Sequence, residues 1–248
     1  MRWTDFPKWG RYVADWAAEY HGSLRERPVR AQTKPGEIAA QLAAAAPEQG
    51  EPVEDVIKDF ERIVMPGITH WQHPRFFAYF PSNASPAAVL ADFFTTVMAP
   101  QCMLWQTSPA ATEMETRMMD WLRDALGLPQ AFHGVIQDSA SGATLAAVLT
   151  MREKALNWAG NQKGLTGQAR LRIYASEEVH TSVDRAIWIA GIGQENLVRI
   201  PTQGPMRAMD PAKLDAAIKA DLAAGFLPAG VIACILAAKE QHVAGDGV

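Results

Sequence analysis

The hydrophobic positions change period part-way along the chain. From residue 6 to 21, Phe6, Trp9, Val13, Trp16 and Tyr20 recur at spacings of three and four. This spacing lays an aromatic stripe along one helix. Arg27 to Gly36 carries Pro28 and Pro35, which favour extended backbone before them. Pro35-Gly36-Glu37 opens a short helix running to Ala46, and Pro47 to Pro52 is a loop. Val53, Val56, Ile57, Phe60, Ile63 and Val64 mark a further helix, which Pro66-Gly67 stops. Residues 71–86 read as loop. Apolar helices follow over 86–98 and 110–127, the second with Met114, Met118, Trp121, Leu122 and Ala125 on its inner face.

From residue 134 short apolar runs alternate with amphipathic ones. Gly134–Gln137, Leu171–Ala175, Leu197–Ile200 and Gly230–Ile235 read as strands. Ser141–Leu156, Thr181–Ala190 and Asp210–Ala224 read as helices, the last opened by Asp210-Pro211 as cap and first residue. Such alternation predicts an α/β fold, a mostly parallel sheet with right-handed crossovers. The first portion shows no strand pattern. Its aromatic stripe is therefore expected to pack on another subunit or on the later domain. This divides the chain into a helical and extended dimerisation arm, residues 1–85, and a larger domain, residues 86–248.

Composition narrows the class. The 248 residues are 48% hydrophobic and 20% charged, an ordinary globular balance. The net charge is −4 without a long basic run, so nucleic acid and anionic membrane are not expected partners. Two cysteines, Cys102 and Cys234, stand far apart and match no disulfide framework or zinc spacing. Cys102 reads as a buried small residue. The amino terminus carries charges and a proline where a signal peptide needs an apolar core, and no run of 18 apolar residues exists. A cytoplasmic protein is the expectation.

Candidate chemistry concentrates in two places. Gln137-Asp138-Ser139-Ala140-Ser141-Gly142-Ala143-Thr144 lies where a predicted strand meets a helix. The first amides of a helix lack intrahelical acceptors and the helix dipole is positive there. Ser139, Ser141 and Thr144 add hydroxyl donors, so the turn can hold a phosphate. A serine N-cap on an ordinary helix accounts for the same residues. His180 follows the Leu171–Ala175 strand, at the carboxyl edge where open α/β sheets place ligands. It can stack on a flat cofactor or move a proton. Equally, it can be a helix-start histidine bonded to Glu177 or Glu178. His70 and His73 lack a third ligand at useful spacing, so no metal is expected. Glu113 and Glu115 read as partners of a helix dipole.

Several uncommon words then occur in one order: His73-Pro74-Arg75-Phe76-Phe77-Ala78-Tyr79-Phe80-Pro81-Ser82-Asn83, Trp105, Ser108-Pro109-Ala110, Asp120-Trp121-Leu122, Gly134-Val135-Ile136-Gln137 with Ser139-Ala140-Ser141, and Val179-His180-Thr181-Ser182-Val183. In these the chain resembles the group II pyridoxal-phosphate decarboxylases, specifically the aromatic-L-amino-acid decarboxylase branch, from about residue 1 to about 234. The resemblance implies a fold-type I pyridoxal-phosphate-dependent transferase fold and a homodimer with sites at the subunit interface. It implies pyridoxal 5'-phosphate as cofactor and an aromatic L-amino acid as substrate, converted to the amine and CO2. By the same resemblance Ala140 and Ser141 hold the cofactor phosphate, and His180 stacks on the pyridine ring and acts in catalysis. Trp71, Tyr79, Phe80, Pro81 and Ser82 form the substrate-pocket loop, with Met103 a pocket residue given to the neighbouring subunit.

The family's Schiff-base lysine lies in a His-Lys-Trp type segment beyond the position of Cys234. Lys8, Lys34, Lys58, Lys154, Lys163, Lys213, Lys219 and Lys239 have no such context. The chain is therefore expected to be the amino-terminal part of the large domain, with a divergent tail from about 235, truncated and inactive. The alternatives are a non-catalytic fragment that only dimerises, a decarboxylase of a non-aromatic amino acid, and an aromatic aldehyde synthase. Gly142 stands where many relatives carry an acidic residue.

Overall fold

A computed structural model describes residues 1–79 and 84–233. The chain divides into two compact units, Met1–Ala99 and Pro100–Val248.

In the first unit, α1 (Phe6–Gly22) carries the aromatic stripe, with Pro7 in its first turn. Within this unit the stripe meets Phe60, just after α2 (Val53–Asp59), and α3 (Pro86–Met98). Phe6 stacks on Phe93 of α3 at 5.7 Å, and Trp16 stacks on Tyr20 and meets Phe60 edge-on. Phe93 falls in the portion read as the larger domain and Phe60 in the arm, so the stripe meets residues of both; Val13 remains exposed. After α2 the chain widens into a π turn, Phe60–Val64, and then tightens into a 3-10 turn, Met65–Gly67. The helix expected up to Ala46 shrinks to one 3-10 turn, Ala39–Gln41, after which Leu42 is extended. Its alanines offer no apolar face large enough to bury, and so short a helix does not stand alone. Ser85 caps α3 by accepting the Ala88 N–H at 3.1 Å.

The second unit opens with α4 (Pro109–Ala125), α5 (Ala140–Ala155) and the short α6 (Ala159–Lys163). There follow β1 (Leu171–Ser176), α7 (Ser182–Ile189), β2 (Leu197–Ile200), the ribbon strands β3 (Thr202–Gln203) and β4 (Ala208–Met209), α8 (Pro211–Ala223) and β5 (Leu227–Ile232). The described strands β2, β1 and β5 form a parallel sheet in that order, and β3 and β4 pair antiparallel. β1 is central and almost wholly buried, as a parallel strand covered on both faces must be. Its Ile173 joins Val148 and Leu156, from α5 and its end, and Ala186, Ile187 and Ala190, from α7 and its end, in the core. Tyr174 is fully buried, its hydroxyl donating to Asp221 of α8 at 2.9 Å.

Four expectations need correction here. Gly134–Gln137 is extended but pairs with no strand among the described residues. The Ile136 N–H goes instead to the Glu115 carboxylate at 2.6 Å, and a Cβ on Gly134 would lie 2.9 Å from Met119 Sδ, so the segment lies along α4. An apolar run becomes a strand only where a neighbour accepts its amides. β5 begins before the predicted strand, with Pro228 beside a register shift opposite Arg172/Ile173; this suits an outer strand, which can spare an amide. Cys234, placed in that strand, lies outside the described residues. The face of α4 bearing Met114, Met118, Trp121 and Leu122 is exposed, not inner, and Cys102 is exposed, not buried.

Candidate functional site at the carboxyl edge of the sheet

The geometry of α5 and α7 fixes one end of the sheet. α7 begins just past the end of β1, at the carboxyl edge, and so runs back toward the amino edge. Arg152, in the last turn of α5, donates to the Ala190 carbonyl at the end of α7 at 2.6 Å. The carboxyl-terminal part of α5 is thereby fastened at the amino edge. Its 16 residues span about 24 Å, comparable to the about 20 Å of a six-residue strand. The first turn of α5, with Ala140 and Ser141, therefore reaches the carboxyl edge, where the loop bearing His180 also lies.

The donors of that first turn sort themselves. Ser139 is the N-cap, its hydroxyl accepting the Gly142 N–H at 3.1 Å. Thr144 donates its hydroxyl to the Ala140 carbonyl at 2.8 Å, so its one proton is spent within the helix and it is no anion donor. The amides of Ala140 and Ser141, which no helical carbonyl can reach, and the exposed Ser141 hydroxyl remain. This donor set fits a phosphate. Asp138 works against it: its Oδ1 sits where a Cβ on Gly142 would lie 2.2 Å away, so the carboxylate rests against the first turn. The sequence alone gave Asp138 no role, because a turn aspartate ahead of a serine cap looks ordinary. The crowding at Gly142 is the feature that exposes it.

His180 is exposed, and its Nδ1 accepts the Ser182 N–H at 3.0 Å. In the neutral ring the proton is then on Nε2. Ser176 is buried, and its hydroxyl accepts the Glu178 N–H at 3.2 Å. Glu177 accepts both the amide and the hydroxyl of Thr202 at 2.8 Å, and these bonds hold its carboxyl below the usual range.

The other sequence-predicted residues lie elsewhere in the chain. Met103 is exposed, ahead of α4 in the second unit. Trp71 and Tyr79 belong to the first unit, where they stack at 5.7 Å, with Phe76 on the other pairing of Trp71 at 4.9 Å. Tyr79 holds a left-handed backbone, φ 54°. Phe80, Pro81 and Ser82 lie outside the described residues. His70 and His73 are buried: Tyr20 Oη and His70 Nδ1 are 2.8 Å apart, and His73 Nδ1 accepts the Arg75 N–H at 2.9 Å. Burial, with Arg27 and His73 nearby, lowers the His70 pKa. Glu113 and Glu115 serve Trp105 Nε1 and the Ile136 amide rather than the helix start.

The model of the pyridoxal-dependent decarboxylase conserved domain matches residues 35–238. The chain belongs to the pyridoxal-dependent decarboxylase family. Aromatic-L-amino-acid decarboxylase of Sus scrofa is 40% identical over 247 residues, covering 95% of this chain and 50% of that protein. Phenylacetaldehyde synthase of Arabidopsis thaliana is 36% identical over 228 residues, covering 89% of this chain and 46% of that protein. Among solved structures, Oryza sativa TDC with PLP and tryptamine superposes with a TM-score of 0.85 at 34% identity, over 93% of this chain and 51% of that one. The chain spans about half the length of the relatives it matches. This likeness bears out the expected family and fold class. Among the described residues no helix is long and apolar enough to cross a membrane.

Proposed function

We propose that this family member serves the pyridoxal 5'-phosphate-dependent decarboxylation of an aromatic L-amino acid to its amine and CO2. The observation that carries the reading is the convergence, at one sheet edge, of the uncapped first amides of α5 and the His180 loop, in a chain of this family. The relatives named for aromatic substrates support the substrate class. When bound, the cofactor supplies an electron sink for the carbanion left by loss of CO2.

The roles of the chain's own residues follow from their chemistry. The amides of Ala140 and Ser141 and the Ser141 hydroxyl bind the phosphate. His180, with its Nδ1 held by the Ser182 amide, offers the ring face for stacking on a flat heterocycle and its Nε2 proton for donation. Trp71, Tyr79, Phe80, Pro81, Ser82 and Met103 contribute an apolar, aromatic pocket suited to an indole or phenol side chain. The working unit in this proposal is a cytoplasmic homodimer, with residues 1–85 as its dimerisation arm. A second reading, an aromatic aldehyde synthase, is favoured by the phenylacetaldehyde synthase relative.

None of the chain's lysines lies in a His-Lys-Trp segment, so we expect the 248-residue chain alone to bind the cofactor without turnover. The test is titration with pyridoxal phosphate, followed by tryptophan fluorescence, and then a CO2-release assay with L-tryptophan and L-DOPA. Saturable binding that His180→Ala and Ser141→Pro each weaken at least about tenfold supports the reading; one charge-assisted hydrogen bond is worth that much. Binding indifferent to both substitutions overturns the site, and CO2 release by this chain overturns the expectation about lysine.

A further inference from the structure

The loop between β1 and α7 is held from outside by the chain that leaves β2. Five bonds do this, all inside the second unit. The Glu177 N–H donates to the Ile200 carbonyl at 3.0 Å. Glu177 Oε1 accepts the Thr202 amide and hydroxyl, each at 2.8 Å. Arg207, in the turn between β3 and β4, pairs with Glu178. Arg199 of β2 reaches Asp184, in the first turn of α7, at 2.5 Å. His180 lies between these anchors, three residues after Glu177 and four before Asp184.

We infer that the β2 end and its ribbon, residues 199–209, form a clamp that sets the position of His180, and that Glu177 is its central positioning residue. The functional part of this inference rests on the reading of His180 given above. The physical case is geometric. A surface loop such as Glu177–Thr181 samples several backbone states unless its backbone is anchored. Anchors on both sides of the histidine remove those states before any ligand arrives, so binding need not supply the ordering. Glu177 carries the larger share because it takes two donors from one ribbon residue while its own amide is tied to β2. Arg207 holds a left-handed backbone, φ 49°, in the β3–β4 turn, where its amide also donates to the Gly204 carbonyl at 3.1 Å.

The clamp predicts a behaviour that a merely stabilising contact does not. The nitrogen resonances of His180, read by 15N NMR on the full chain, should show the Nε2–H tautomer. Glu177→Ala and Arg207→Ala should each shift them toward an average of tautomers, while Glu177→Gln, which still accepts from Thr202, should restore them. Pyridoxal phosphate affinity should fall about tenfold in Glu177→Ala and recover in Glu177→Gln, the worth of one charge-assisted hydrogen bond. Unfolding midpoints taken on the same samples separate loss of fold from loss of position. If Glu177→Ala does not fold, Arg207→Ala and Glu177→Gln decide. Unchanged His180 resonances in Arg207→Ala, or no restoration by Glu177→Gln, overturn the clamp. If the unmodified chain binds no pyridoxal phosphate, the proposed function falls, and the NMR result still decides the clamp.

Discussion

Gly160 is the position where a single methyl group should do most damage. Glu153 on α5 is 3% exposed, yet it is ionisable. Its Oε1 accepts from Arg152 Nε at 2.9 Å, and its Oε2 accepts the Asn161 N–H at 2.9 Å, which ties down the first turn of α6. A Cβ on Gly160 would lie 2.3 Å from Oε1 and 3.0 Å from both Cδ and Oε2. In so buried a place the carboxylate cannot swing to water, so Gly160→Ala must break one of these bonds. A hydrogen bond to a charged group is worth about 1.5–3 kcal/mol. Alanine in place of a helical glycine returns about 1 kcal/mol. The net expectation is a loss of about 0.5–2 kcal/mol, at about 2–4 °C of Tm for each kcal/mol in a chain of this size. In a Glu153→Ala background the clash is gone, and the same substitution should stabilise by about 1 kcal/mol. Urea unfolding of the four proteins of this cycle measures both effects. Equal destabilisation in the two backgrounds would refute the assignment of Glu153 as the group that forbids a side chain at 160.

Three further outcomes are expected. Ser139→Asp should keep α5 capped, since aspartate caps as well as serine, but should weaken pyridoxal phosphate binding by bringing a carboxylate to the cradle; tighter binding in a fluorescence titration would contradict this. Gly142→Ala displaces the Asp138 carboxylate from 2.2 Å, so phosphate affinity should rise, with stability changed by less than about 1 kcal/mol because helix propensity and the lost dipole partner nearly cancel. Burial lowers the His70 pKa, so the unfolded chain takes up the proton more readily. The contribution of His70 to stability is therefore complete above about pH 6.5, the unfolded value, and is lost as pH falls from there through the depressed folded value. Unfolding midpoints between pH 8 and 5 should show this slope and His70→Gln should remove it; an unchanged slope in the variant would exclude His70 as its source.

The parts of the fold that the sequence displays are those in which pattern and burial coincide. α3 spans the residues its apolar run suggests, and β1 and β2 fall on the short apolar runs read as strands. Gly134–Gln137 has a strand's composition, but pairing is a property of neighbours and cannot be read from the segment itself. The ribbon β3–β4 is too short, at two residues a strand, for any period to register. Glu153 defeats a pattern reading for another reason: a charge on a helix is assumed to face water, and here it faces the start of α6. Of the site, the place of Ser141 in a helix's first turn and of His180 just past a strand was legible because turn chemistry is local, whereas the strand expected before Ser141 is not formed among the described residues. The loss of Thr144 as a donor was not, since a hydroxyl's choice between a ligand and its own helix depends on backbone geometry.

Three described helices begin at the carboxyl edge, and they differ in what remains of their first amides. At α8, Asp210 Oδ1 accepts the Ala212 and Lys213 amides at 2.8 and 3.2 Å, so a resident carboxylate already answers the dipole. At α7 the Ser182 amide goes to His180 Nδ1, and Asp184 sits in the first turn with Arg199 on it. At α5 the cap is a neutral serine that takes the Gly142 amide and leaves those of Ala140 and Ser141. The macrodipole is similar for each helix, so its presence does not choose among them. The choice lies in the donors that the cap leaves, since the Asp138 carboxylate against the first turn of α5 opposes the field there as well. The same local rule links the two halves of the candidate site: the amide that α7 withholds from an anion is the one that fixes the tautomer of His180. One helix start can therefore receive a phosphate while its neighbour orients the imidazole, although both obey the same physics.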